Sequence, residues 1–423
     1  MKIAVVPDLH LNKATYKTIM DREFADVPFR SADFMRSFRW IIDKCINDIK
    51  PNLFVIPGDV YNQFDPSNAV RGFFSSQILR LTEQDIPVVI LTGNHDVCRK
   101  HHALKDIQEL GLSKVKVVDS PRIMLLREGI KLLLFPYSLD IEQKKVTIKE
   151  EFEKFLKEVR KRDDGKPSIF FGHFGVVGGK LNEYEEENEL LDILTDSTVT
   201  PVIKIKKKFV NNNPDDIDIS DLDRIGSDYV LLGDYHEFQR LPTSKCIAIY
   251  PGSIEKTDFS EMSQRKGFIV YDSEGEMTEE LGLCKFIEYP HCRSMKEFKG
   301  NLTQIKKQFS ELDPSQYKEP IVKIYFEGTS EELFEFSTGL ESFKKEVRKV
   351  LNPIHLYHIQ KIRNPRLEAN ASRIEKEILD KGHMEADDVL AVVKEIIVER
   401  VKDKDEQQKT IDLAVEIYQG TKI

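Results

Sequence analysis

Residues 87–96 read PVVILTGNHD, and this stretch decides how the chain is laid out. Val88 to Leu91 is a short apolar run rich in β-branched residues, so it reads as a buried strand. The run stops at Gly93, which permits a sharp turn, and three polar side chains follow at once: Asn94, His95 and Asp96. Donor groups at the carboxyl end of a buried strand are how open α/β sheets hold ligands.

Working outward, the same pattern recurs at 3–10 (IAVVPDLH), 53–59 (LFVIPGD), 168–173 (SIFFGH) and 229–236 (YVLLGDYH). Helical patterns separate the first three. Phe34, Phe38, Ile41, Ile42, Cys45, Ile46 and Ile49 recur at helical spacing. Residues 66–84 read as a helix with Pro66 in its first turn. Strands alternating with helices imply βαβ units and a mostly parallel sheet, hence an α/β fold. Short strands follow at 115–118, 123–126 and 130–135, with a hairpin turn at Glu128-Gly129. Residues 145–162 read as a charged helix, and 181–223 as a surface excursion that is acidic, then basic (Lys204 to Lys208), then polar. Residues 281–366 read as a small α+β unit with strands near Cys284–Tyr289 and Ile321–Phe326. The tail, 367–423, is charged and helical: Val389, Val392, Val393, Ile396 and Ile397 form one amphipathic stripe, and Ile411, Ala414, Ile417 and Tyr418 another.

Composition narrows the class. Of 423 residues, 40% are apolar and 32% charged, which fits a soluble globular protein of two or three domains. Apolar runs such as Leu132 to Phe135 are far too short to span a bilayer, and the N-terminus reads as a strand rather than a signal peptide. Five scattered cysteines without a CxxC pair fit a reducing cytoplasm and disfavour a zinc–thiolate site. The net charge of −9 counts against an extended basic DNA surface, although bound divalent ions would reverse the sign locally.

The strand-end donors are Asp8, His10, Asp59, Asn94, His95, His173, Asp234 and His236. Oxygen and imidazole donors without thiolates suit manganese, iron or zinc. Asp8-Leu9-His10 and Asp234-Tyr235-His236 would each put two donors on one side of an extended segment. A carboxylate such as Asp59 can bridge two ions; ions about 3.5–4 Å apart can activate a water and clamp the oxygens of a scissile phosphate. One histidine at a strand end is ordinarily a packed or surface residue. Five such ends in sequence order form a constellation.

At these residues the chain, from Met1 to about Asp272, resembles the calcineurin-like metallophosphoesterases. The resemblance implies a four-layer α-β-β-α sandwich with a metal pair at one edge. Asp8, His10, Asp59 and His236 would hold one ion, and Asp59, Asn94, His173 and Asp234 the other. His95 would contact the phosphate and stabilise the leaving group, oriented by Asp96. Three further segments resemble SbcD-type nucleases: Pro28-Phe29-Arg30 with Phe34, Tyr250–Glu255 (YPGSIE), and Asp258–Glu261 (DFSE) with Lys266-Gly267-Phe268. That likeness implies a 3′-to-5′ exonuclease and endonuclease on DNA ends and single strands. Two divalent ions, Mn2+ or else Mg2+, would serve it. It would act as a homodimer with an SbcC-type coiled-coil ATPase gripped by the C-terminal helices. Domain 1–280 would be the nuclease, 281–366 a DNA-binding cap. A phosphatase or small-molecule phosphodiesterase on the same core, or a weakly active scaffold, are the alternatives.

Two positions depart from the family pattern. Its last motif usually reads GHxH, whereas Asp234 stands in the first histidine's place; a carboxylate there suits manganese or magnesium. Asn62 stands where the family often has a second histidine that places the DNA phosphate. Arg99, just after GNHD, reads either as lining the same groove or as part of a solvated helix start.

Overall fold

The computed structural model describes residues 1–177 and 217–362, apart from residues 14, 17, 18, 25, 99 and 110. Through the first half the elements run β1 (Lys2–Val5), α1 (Phe29–Lys44), β2 (Leu53–Pro57), α2 (Asn68–Glu83), β3 (Val88–Leu91), β4 (Val97–Cys98), β5 (His101–His102), α3 (Lys105–Glu109), β6 (Val115–Val118), β7 (Arg122–Leu125) and β8 (Lys131–Phe135). Then come α4 (Leu139–Glu142), α5 (Ile148–Lys161), β9 (Ser168–His173), β10 (Val176–Val177), β11 (Ile217–Asp218), α6 (Ile219–Leu222), β12 (Tyr229–Gly233), β13 (Gln239–Leu241), β14 (Ile247–Tyr250), β15 (Gly267–Asp272) and β16 (Cys284–Glu288).

Two six-stranded sheets are built on one plan. The first is ordered β16-β15-β1-β2-β3-β6 and the second β13-β14-β12-β9-β8-β7. In the first, β1, β2, β3 and β6 are parallel and β15 and β16 extend the edge antiparallel. In the second, β14, β12, β9 and β8 are parallel, with β13 and β7 antiparallel at the two edges.

Alternation along each strand divides its side chains between two interiors. Ile3, Val5, Leu53, Val55, Val89 and Leu91 of the first sheet pack on Leu132, Leu134, Ile169, Phe171, Leu231 and Ile249 of the second. The opposite face of the first sheet (Ala4, Phe54, Ile56, Ile90) packs on Phe34, Phe38 and Ile41 of α1 and Phe74 and Ile78 of α2. The opposite face of the second (Leu133, Phe135, Phe170, Val230) packs on Phe152, Phe155 and Leu156 of α5. This is the α-β-β-α sandwich. It also explains why these strands are apolar throughout: both faces are covered.

Local details differ from the sequence expectation in physically simple ways. Helix α2 starts after Ser67, whose side chain accepts from the Val70 N–H, so Pro66 lies before the cap rather than inside the first turn. Helix α5 starts at a reciprocal capping box of Thr147 and Glu150. Cys284–Glu288 does not belong with the small α+β unit; it pairs with β15 and finishes the first sheet. Trp40 packs on Phe268 and Tyr289, a core role. Lys204 to Lys208, Arg99 and the helical tail lie outside the described residues.

The chain divides into two compact units, Met1–Glu297 with Pro314–Val322 and Val350–His355, and Phe298–Asp313 with Lys323–Lys349 and the residues from Leu356. The second holds most of a sheet of β17 (Met295–Gly300), β18 (Ile321–Gly328) and β19 (His355–Ile362), in that order, with helices α7 (Leu302–Ser310) and, but for its last two residues, α8 (Ser330–Leu351). Its core is aromatic: Phe343 meets Phe298 and Phe309, and Phe326 meets Phe336. No helix among the described residues is long and apolar enough to cross a membrane.

A buried ionic network ties the start of α1 to the YPGSIE loop. Arg30, 1% exposed, binds Asp33 at 2.7 Å and donates to the Lys256 carbonyl. Arg293 reaches the same Asp33 at 2.9 Å, and its backbone N–H donates to Glu255, 1% exposed, at 3.1 Å. Removing one partner of such a network strands a buried charge. Arg30→Ala is therefore expected to cost about 3–5 kcal/mol of stability, read as a lowered urea midpoint of the full chain.

Candidate metal centre

The carboxyl ends of β1, β2 and β3 in one sheet and of β9 and β12 in the other open onto one place. From the first sheet come Asp8, His10, Asp59, Asn94 and His95; from the second, His173, Asp234 and His236. Among the described residues, two groups offer donor atoms within 4.8 Å of one another: Asp8, His10 and His236, and Asp8, Asp59 and His173. Asp59 reaches both, with one oxygen 3.8 Å from His10 Nε2 and the other 3.3 Å from His173 Nε2. Asp234 Oδ1 lies 4.0 Å from His173 Nε2, and Asn94 Oδ1 lies 2.9 Å from the same nitrogen.

The backbone is bent to make this possible. Asp8, His10, Asp59 and Asp234 have φ of 51°, 42°, 53° and 106°. The extended geometry expected for Asp8-Leu9-His10 is therefore corrected. Both donors sit at positive φ, and successive backbone bonds to the β2 loop hold them there: Asp8 N–H to the Gly58 carbonyl, His10 N–H to Asp59 and Leu11 N–H to Val60. Such conformations cost about 1–3 kcal/mol each and persist where surrounding structure over-determines them. Gly58, at φ 89°, lies so close to the His173 ring that a Cβ would fall 2.1 Å from Nδ1. A Cβ on Gly93 would fall 2.1 Å from Asp59 Oδ1.

Hydrogen bonds aim the rings. His173 Nδ1 faces the Pro57 carbonyl at 2.8 Å and His236 Nδ1 faces Glu261 Oε1 at 2.9 Å. Each Nδ1–H has an acceptor, so Nε2 is the atom presented to the cluster. His95 follows the same rule, with Nδ1 on the Asn62 carbonyl at 2.9 Å and its backbone N–H on Asp59 Oδ1 at 3.0 Å. Its ring is 44% exposed, with Nε2 3.9 Å from Asp59 Oδ2.

Two expected contacts take a different form. Asp96 does not reach the His95 ring through the hydrogen bonds present; its carboxylate accepts the N–H groups of Val60, Tyr61 and Gly93 and so fixes the two loops that carry Asp59 and His95. Asn62 acts through its backbone: its carbonyl holds His95, and its N–H is held by Asn12 Oδ1 at 2.6 Å. Sequence reading missed Asn12, Thr257, Glu261 and Lys266. Glu261 and Lys266 stand in the DFSE and KGF segments, but nothing in the sequence assigns them a contact; Asn12 gives no signal at all.

The electrostatics fit divalent cations. Asp8 and Asp59 are 0% and 2% exposed. The charges acting on Asp8, Asp59 and Asp234 are chiefly each other and the cluster histidines. Burial pushes Asp8 up to about 7, against the pull of His173 and His236. Burial opposes ionisation of Asp59 too, but His173 holds it below the usual range, and His173 is raised in return. Burial and the neighbouring His236 charge keep His10 neutral. Its Nε2 lies 3.0 Å from that of His236, and its Nδ1 is buried without a hydrogen-bond partner. Buried carboxylates and opposed imidazole nitrogens are a donor set that protons satisfy poorly and divalent ions satisfy well. The residues fit two ions.

Residues 1–203 match the family model described as Calcineurin-like phosphoesterase. The chain is similar to the SbcD subunit of nuclease SbcCD from Staphylococcus epidermidis, 27% identical over 241 residues, covering 53% of this chain and 56% of that protein. It is similar to DNA double-strand break repair protein Mre11 of Sulfurisphaera tokodaii, 28% identical over 116 residues and 27% of each. The matched stretches thus span about half of the first relative and about a quarter of the second. The solved structure of TT1561 of Thermus thermophilus gives a TM-score of 0.35 at 11% identity, covering 64% of this chain and 93% of that one.

Proposed function

We propose that this chain, whose residues 1–203 carry a calcineurin-like phosphoesterase domain, is a two-metal nuclease that trims and cuts DNA at its ends. Metal-dependent phosphoester hydrolysis is the chemistry of that domain. The observation that carries the reading is the convergence of seven donor side chains from two sheets beside an exposed histidine. The likeness to the SbcD subunit of a nuclease supports DNA as the phosphodiester.

Asp8, His10, Asp59 and His236 would hold one ion and Asp59, Asn94, His173 and Asp234 the other. Bound ions would supply positive charge to polarise a phosphoryl oxygen and to acidify a water. Asp8 and Asp59 would offer those ions carboxylate oxygens that lie within 4.8 Å of one another. His95 is the group free to touch substrate. With Nδ1 on the Asn62 carbonyl, its Nε2 is the atom left to meet a phosphoryl oxygen or the departing alkoxide. Asp96 keeps that ring and Asp59 in register through the loops it binds. Asp234 favours manganese, or magnesium, over softer ions.

The rest of the assignment follows the resemblance. The small α+β unit beyond β16 would help hold DNA, with Asn62 and Arg99 as further substrate-contacting residues. Residues 367–423 would grip an SbcC-type coiled-coil ATPase, and the chain would act as a cytoplasmic homodimer. The test is linear duplex DNA, end-labelled and incubated with the full chain and Mn2+. Label should be released, and a chelator should stop it. Turnover of small phosphoesters with the duplex left intact would sink the nuclease reading.

A further inference from the structure

Two buried groups are left over by this chemistry. Glu261 and Lys266 are 0% and 1% exposed, lie outside the donor set, and pair at 2.6 Å. A buried ion pair seldom stabilises a fold more than apolar residues of the same size, so this one calls for another reason. Its geometry supplies one. Glu261 Oε1 takes the Nδ1–H of His236 at 2.9 Å and the Thr257 hydroxyl. Oε2 takes the Thr257 N–H at 2.9 Å and the Lys266 ammonium. Lys266 also donates to the main-chain carbonyl of His236 and to Ser253 Oγ, each at 2.9 Å. The Ser253 N–H reaches the same carbonyl at 3.1 Å. His236 is therefore gripped at its ring by a carboxylate and at its carbonyl by an ammonium and an amide. The YPGSIE, DFSE and KGF segments all close on this one histidine.

We infer that Glu261 is a positioning residue of the metal centre, which, pinned by Lys266 and Thr257, fixes the tautomer and ring orientation of His236 so that Nε2 faces an ion. The inference rests on the two-ion reading of the cluster and not on which phosphoester is cut. Both oxygens of Glu261 already face donors, so an amide cannot stand in for the carboxylate. In Glu261→Gln the NH2 group must face either Lys266 and the Thr257 N–H, donor against donor, or His236 Nδ1. The second arrangement requires the His236 proton on Nε2 and removes the lone pair an ion would use.

The test is calorimetric titration of the full chain, stripped with a chelator, with Mn2+. The wild type should take two ions. Glu261→Gln should keep one affinity and weaken the other about 10–100-fold, the range for losing a carboxylate behind a ligating histidine. A merely structural role would lower the melting temperature of the metal-free chain and leave both affinities in place, and that result overturns the proposal. Thr257→Val, nearly isosteric, removes one of the two hydrogen bonds that Thr257 gives Glu261. It should weaken the same ion several-fold, and unchanged affinities there overturn the proposal even if Glu261→Gln does not fold. A wild-type chain that takes no Mn2+ overturns the two-ion reading and this inference with it.

Discussion

Replacing Asp59 with asparagine is expected to lower phosphoester hydrolysis by at least about 10³-fold, because removing a group that stabilises transition-state charge commonly costs 10²–10³ and, on the proposed two-ion reading, both ion positions would lose a ligand. Asparagine is the informative substitution. Asp59 sits at φ 53°, a conformation asparagine tolerates, so the backbone turn survives and charge alone is removed. Asparagine keeps an oxygen for the His95 N–H, and what it loses is the charge that pairs with His173. The measurement is kcat at saturating Mn2+ beside the number of ions bound. Activity within tenfold of wild type, with two ions retained, would refute the bridging role.

The second large effect belongs to a residue with no functional group. Gly93→Ala puts a methyl 2.1 Å from Asp59 Oδ1 and 2.3 Å from the Asp59 nitrogen. The second contact is with backbone, so no rotamer change relieves it. The β2 and β3 loops must part, and forcing atoms into a packed interior costs about 1–3 kcal/mol. Parting them displaces Asp59 from His95, and a misplacement of about 1 Å can cost 10²-fold in rate. Gly93→Ala should therefore lose at least about 10²-fold in kcat while remaining folded, with the stability loss read separately by urea denaturation. Full activity would show that the loops have slack that the geometry does not suggest.

The layout and the donor list were legible in the sequence because both are local. An apolar run ending in Gly-Asp or Gly-Asn-His announces a strand and what stands at its end. The four layers were legible only through family resemblance, since alternation within a strand buried on both faces leaves no polar mark. What stayed hidden is contact at long range. His10 and His236 meet across 226 residues. Asn12 steadies the chain at Asn62 through an amide oxygen that looks like any loop asparagine. The expected partner of His95 was its neighbour Asp96, yet sequence adjacency sends that carboxylate the other way, onto amide groups of the β2 loop. The left-handed turns at Asp8 and His10 were illegible for a related reason: nothing but the β2 loop beneath them requires those angles.

The donor cluster straddles the seam between two sheets, one contributing Asp8, His10, Asp59 and Asn94, the other His173, Asp234 and His236. The donor cluster therefore behaves as a caliper on the sandwich. The distance between its jaws is set by how thickly the leaves are filled, by residues such as Val55 on one side and Leu134 and Phe171 on the other. A methylene added or removed in that filling, remote from every one of these donors, would change the gauge between the two sets.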